Sequence, residues 1–227
     1  MTIIAIAAIM PAGCARRVIT VDVGGGKITT PVPYNFLALE GKSSSFRSYV
    51  QRKLLPETLL LEYFLTNRSM KDIETNNFAD LRSDKKSRSL SITMPKSMYG
   101  RDFSEENFLG YASATRATHA DNIAHGEPLA NNRKEMIAMK SGSAPSSLEN
   151  TKWAGVFYDS RDAIGEVITN EIHLEQSTCK KVGVIVTMRI KDRMIFLNCN
   201  SNIEGYRDIE WAKETCSKWS RDIMKHN

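Results

Sequence analysis

The sequence predicts an α+β fold: a single, mainly antiparallel sheet covered by helices. Three observations carry this. Several apolar or alternating runs are joined by tight turns, which makes antiparallel neighbours. The helical segments fall between groups of strands and do not alternate with them one for one. The last helix carries the sharpest periodicity in the chain, with Ile209, Ala212, Cys216, Trp219 and Ile223 spaced by 3, 4, 3 and 4.

Composition agrees with a folded domain. The 227 residues are 41% hydrophobic and 25% charged, ordinary globular values that exclude wholesale disorder, collagen-like repeats and a polytopic membrane protein. The net charge of +5 is small and dispersed, and it does not imply nucleic acid.

Residues 1–15 read as an export segment and 16–227 as one α+β domain. Residues 3–10 are almost wholly apolar, and Pro11, Ala12 and Gly13 precede Cys14. An apolar run before small residues is the pattern of a secretory signal, and this one is too short to cross a bilayer. Cys14 is the candidate lipidation site of a lipobox-like segment, although Pro11 stands where Leu is usual. A soluble signal cut after Ala15 fits as well, as does an apolar strand burying Cys14. The export reading puts the protein in the periplasm or cell envelope, with a mature chain beginning at Cys14, Ala15 or Arg16.

The elements follow in order. VITVDV (18–23), Gly24-Gly25-Gly26 and KITTPV (27–32) read as a β-hairpin. A phosphate loop would need Gly where Val21 stands and Ser or Thr after Lys27, where the residue is Ile28. YNFLAL (34–39) is a short extended piece. Residues 43–55 form a helix capped by Ser43, Ser44 or Ser45, with Phe46, Tyr49, Val50 and Leu54 on its apolar face and Pro56 ending it. LLLEYFLT (59–66) is a buried strand. Residues 67–88 are polar and read as a long loop with at most a helical turn around Met70–Ile73, first cut by trypsin at Arg82, Lys85, Lys86 or Arg88. SLSITM (89–94) is a strand.

Asp102 and Ser104 are candidate caps of a helix running to about Thr118 that buries Phe108, Leu109, Ala112 and Thr115. EMIAM (135–139) reads as a strand and 141–151 as a loop. KWAGVFYD (152–159), AIGEVITNEIHLEQ (163–176), VGVIVTMRI (182–190) and RMIFLNCN (193–200) are strands. The final helix starts with Asp208 as its N-cap.

The candidate chemistry is sparse. His119, Asp121 and His125 lie near a helix end, and the histidines sit about 120° apart around a helix, a poor metal pair. His173 alternates with Glu171 and Glu175 on one strand face, a pattern for acid–base or metal chemistry that solvated strand faces also show. There is no G-x-S-x-G, no H-E-x-x-H and no Cys/His pairing. The expectation is therefore no catalytic, metal or cofactor residue. The basic stretch Arg82–Arg88 reads as a solvated loop or a contact for an acidic surface.

Two hairpin strands joined at Lys191-Asp192 set Val184 opposite Cys199. That places Cys199 under the final helix with Cys216, either as a disulfide or as two separate buried thiols. Cys179 should be more exposed.

The opening glycine hairpin with KITTPVPYNFLAL is similar to that of uncharacterised bacterial envelope proteins. So is the close, Asn200-Ser201-Asn202 and Asp208-Ile209-Glu210-Trp211 leading a Trp-bearing helix. The element order resembles the PsbP-like superfamily of α/β/α sandwiches. The resemblance implies a non-enzymatic accessory protein. The expected role is thus an exported or lipid-anchored protein that binds a protein or peptide partner through loops and one sheet face. Two other classes stand beside it: an immunity protein neutralising a secreted toxin, and an enzyme whose site is scattered through the sequence.

Overall fold

The computed structural model describes residues 17–74, 87–125, 151–174 and 177–227. Nine strands and four helices are described: β1 (Val18–Asp22), β2 (Lys27–Pro31), β3 (Phe36–Ala38), α1 (Ser44–Lys53), β4 (Thr58–Thr66), α2 (Asn67–Glu74), β5 (Arg88–Pro95), α3 (Glu105–His125), β6 (Thr151–Asp159), β7 (Ala163–Leu174), β8 (Ser177–Ile190), β9 (Arg193–Asn202) and α4 (Tyr206–Lys225). Seven strands form one antiparallel sheet in the order β3-β4-β5-β9-β8-β7-β6. The α+β class is therefore present. The expected single sheet is corrected to two, because β1 and β2 pair only with each other.

Side-chain alternation along the strands builds two apolar layers. On β9, Ile195, Leu197 and Cys199 face one layer, while Met194 and Phe196 face the other. The first layer is covered by α4, through Ala212, Cys216, Trp219 and Ile223, and by the β1–β2 hairpin, through Ile19, Val21 and Ile28. The second is covered by α1 and α2 near β4, through Phe46, Val50, Met70 and Ile73, and by α3 through Phe108 and Ala112. Helices thus pack on both faces of the sheet.

The β8–β9 turn has Lys191 and Asp192 at φ 48° and 56°, the backbone of a two-residue type I′ hairpin. Its register pairs Ile190 with Arg193 and Val184 with Cys199, as the sequence implies. Gly24 (φ 80°) lets the β1–β2 turn touch the backbone of Gly100, where a Cβ would lie 2.2 Å from the Gly100 nitrogen.

The outer edge of β4 beyond β3 is closed by side chains of α1. Gln51 Nε2 donates to the Thr58 carbonyl at 2.8 Å, and its Oε1 accepts from the Leu60 N–H at 2.8 Å. Arg47 donates to the carbonyls of Leu60 and Leu61 at 3.0 and 2.7 Å. The register slips between Leu60 and Glu62. There Glu62 is 7% exposed, and its carboxylate accepts from the Tyr63 and Glu40 amides. Burial pushes its pKa up, against the Tyr63 amide, the Arg47 charge and the Leu39 backbone, which lower it.

Several local expectations are corrected. Residues 67–74 form a helix with Met70 and Ile73 buried, since the two apolar residues suffice to dock one face. Arg88 opens a strand and does not belong to a loop. α3 runs to His125, and Leu109 is 47% exposed, because the helix turns Phe108, Ala112 and part of Tyr111 inward. Ser104 caps α3 by accepting from the Asn107 N–H, while Asp102 pairs with Arg193. Gly205 is the N-cap of α4, and Asp208 serves from the first turn by accepting from the Glu204 and Gly205 amides. β8 begins at Ser177, so Cys179 lies inside a strand opposite Ile172. The segments 1–16, 75–86, 126–150 and 175–176 lie outside the described residues. They take in Cys14, the stretch 135–139 and most of the basic cluster 82–88.

Candidate functional site

A concavity with an aromatic lining lies between α4 and the connection from β2 to β3, with a volume of ≈ 360 Å³. Its first wall is the segment 31–36. Pro31 and Pro33 stiffen it, and the Phe36 N–H donates to the Pro33 carbonyl at 3.1 Å to close a tight turn. Asn35 sits at φ 65°, a left-handed conformation that asparagine tolerates better than most residues. This turn leaves Tyr34 81% exposed at the rim.

The second wall is one stripe of α4: Trp211, Thr215, Lys218 and Asp222. These positions share a helix face because they recur every three or four residues. Trp219 forms the base. Its indole N–H donates to the Pro31 carbonyl at 3.0 Å, and its ring meets Phe64 edge-on with centroids 5.0 Å apart. The two walls are therefore joined by a buried hydrogen bond.

At one end of the cleft, Phe36 stacks on Trp211 with centroids 6.3 Å apart. The Arg88 guanidinium lies 4.2 Å from the Trp211 ring centroid, a cation–π contact. Arg88 also reaches Asp208 at 3.2 Å. Burial would push the Asp208 carboxyl up, but the Glu204 amide, Arg88 and the Gly205 amide together hold it below its ordinary value. Arg88, drawn from the expected basic loop, is thus fixed by an indole and a carboxylate. Lys218 also lines the cleft and is exposed.

The arrangement offers broad apolar contact with charge at its margins. Such a lining suits the apolar groups of a ligand, with the charged margins to orient it. Among the described residues, no three His, Cys, Asp or Glu side chains are grouped to hold a metal ion. No described helix is long and apolar enough to cross a membrane.

The residues singled out in the sequence lie elsewhere. His119, Asp121 and His125 fall on the last turns of α3, with side chains outside the description. His173 falls on β7 opposite Thr178 of β8. Cys199 and Cys216 are brought together under α4, both buried and both free thiols. Neither Cys199 nor Cys216 is among the residues that line the cleft. The sequence reading did not single out Trp211 or Tyr34, and it took Arg88 only as the end of a basic stretch. The missed signal is a second α4 stripe, 211, 215, 218 and 222, displaced by one residue from the core stripe.

No family model matches the chain, and no curated protein matches it. Two solved structures align with it along most of its length. One is the Ran-binding protein Mog1p of Saccharomyces cerevisiae, 10% identical over 93% of each chain with a TM-score of 0.33. The other is a point mutant of protein Mog1, 10% identical over 92% of each chain with a TM-score of 0.35. A likeness at this level assigns no function.

Proposed function

We propose that this is a non-enzymatic binding protein that seats an extended peptide segment of a protein partner in the cleft between the 31–36 turn and α4. The observation that carries the reading is the aromatic lining of Trp211, Phe36 and Tyr34, braced by Arg88 and open at an exposed rim. Tyrosine and tryptophan give large contact area at low entropic cost, which suits peptide side chains. A volume of ≈ 360 Å³ lies at the small end of ligand sites. It suits two or three side chains better than a large cofactor. In this proposal the contact is made by a loop and a helix, not by an open sheet face.

The proposal includes export to the cell envelope, supported by the apolar run at residues 3–10 and the small residues before Cys14, and a PsbP-like sandwich, supported by helices on both faces of an antiparallel sheet. Intact mass measurement of protein from the native host tests the first part. A mature chain retaining residues 1–13 would end it.

Selection from a random displayed-peptide library tests the cleft. Enriched peptides are expected to shift the tryptophan emission of the wild-type protein. They should bind Trp211→Ala and Tyr34→Ala at least about tenfold more weakly, the loss expected of an aromatic contact residue. Tyr34 is so exposed that its truncation leaves the fold intact. Peptides that bind both variants as tightly as wild type, or no enrichment at all, would refute the assignment.

A further inference from the structure

We propose that Cys199 and Cys216 are an oxidisable pair that closes to a disulfide and pins α4 to the sheet. Cys199 stands on β9 directly opposite Val184 and two residues after Leu197. The Cys216 thiol donates to the carbonyls of those two residues, at 3.9 and 3.6 Å. The helix thus delivers its sulfur onto the patch of sheet that Cys199 occupies. Small residues allow this approach. Ala212, Cys216 and Ser220 recur every four residues and are fully buried, so the α4 backbone settles close to the strands. Sulfur–sulfur bonding needs such a short separation between backbones. The link would close a loop of residues 200–215, which spans the end of β9, the short connection 203–205 and the first turns of α4.

The chemistry is a two-step exchange with a small-molecule disulfide such as glutathione disulfide. One cysteine thiolate attacks a sulfur of the oxidant and releases one glutathione thiolate. The second cysteine thiolate then attacks the cysteine sulfur of the mixed disulfide and releases the other. Two cysteine protons pass to solvent or to the released thiolates, and two electrons pass to the oxidant. Neither thiol is exposed in the docked state, and burial pushes the Cys199 thiol well up. Closure therefore belongs to the moment when α4 docks during folding, or to its transient undocking. Because α4 carries Trp211, Thr215 and Lys218, the bond would also fix one wall of the cleft. The pairing itself does not depend on peptide binding.

The test uses the full chain with Cys14→Ser and Cys179→Ser, so that only the two buried cysteines remain. The reduced, urea-unfolded protein is refolded with glutathione disulfide and digested with trypsin without reduction. The expected product joins peptide Met194–Arg207 to peptide Glu214–Lys218, and separates on reduction. The linked monomer should favour folding about a hundredfold more than its reduced form, the effect of closing a loop of this length. Three results overturn the proposal: both cysteines recovered as free thiols, a disulfide-linked dimer, or a linked monomer that unfolds at lower urea than the reduced one.

Discussion

Replacing Gln51 by Met tests whether a side chain substitutes for a missing strand. Gln51 presents one donor and one acceptor to β4, to Thr58 and Leu60, in the manner of a neighbouring backbone. Methionine keeps the length and removes both. Each neutral hydrogen bond contributes roughly 0.5–1.5 kcal/mol net, so the pair should account for about 2 kcal/mol. For a chain of this size that lowers Tm by about 4–8 °C. Neither lost bond involves a titratable group, so the deficit in urea unfolding should be the same at acid and neutral pH. Arg47→Met gives the contrast. It also removes two bonds to the same edge, but it withdraws the positive charge that opposes the raised pKa of Glu62. Its deficit should widen as pH rises, because the buried carboxylate ionises without a counter-charge. Both variants free an edge strand, so both should aggregate sooner on warming. A Gln51→Met stability within about 0.5 kcal/mol of wild type, or a deficit that varies with pH, would refute the reasoning.

Glu62→Gln keeps the acceptor for the Tyr63 and Glu40 amides and removes the charge. A carboxyl whose folded pKa is raised binds its proton more tightly folded than unfolded, so its contribution is present below its ordinary value of 4.5 and lost as pH rises through the folded value. The variant should therefore gain on wild type as pH climbs above that range in urea titrations; a constant difference would contradict the assignment. Gly24→Ala forces a Cβ to 2.2 Å from the Gly100 nitrogen at φ 80° and should cost at least about 2 kcal/mol. Gly25→Ala shares the positive φ but meets nothing and should cost only about 1 kcal/mol; equal losses would show that the contact is unimportant. Phe108→Ala empties a fully buried site and should cost about 3–5 kcal/mol, whereas Leu109→Ala on the exposed side should stay within about 0.5 kcal/mol.

What the sequence revealed and what it hid have physical causes. The β8–β9 hairpin was legible because two residues between two alternating runs leave one register that keeps Val184, Val186, Ile195 and Leu197 on a common face. The core stripe of α4 was legible for the same kind of reason. Helix α2 was legible only as a single turn at Met70–Ile73, because only those two residues are apolar in an otherwise polar eight-residue segment, and tertiary docking extends so weak a local pattern. Leu109 misled because hydrophobicity alone does not say which side of a helix meets the sheet. The separation of β1–β2 from the main sheet was also hidden: periodicity shows that a strand buries a face, not which neighbour it pairs with.

The cleft was invisible for a further reason. Two stripes on α4 have identical spacing and differ by one residue: 212, 216, 219 and 223 face the sheet, while 211, 215, 218 and 222 face the 31–36 turn. A shift of one residue turns the helix face by about 100°, so both stripes fit on one helix. The core stripe announces itself through apolarity. The second holds Trp, Thr, Lys and Asp, which read as an ordinary solvated face until the turn at Tyr34 is set against it. Its partner residues come from β2–β3, Thr66 and Arg88, far away in sequence, and only the sheet order brings them there. Trp219 belongs to the core stripe but donates to Pro31 on the opposite wall. The position of the cleft wall is thus tied to the packing of the core. A substitution such as Trp219→Phe, which keeps an aromatic core residue and loses that one bond, would therefore loosen the 31–36 wall while leaving the α4 stripe in place.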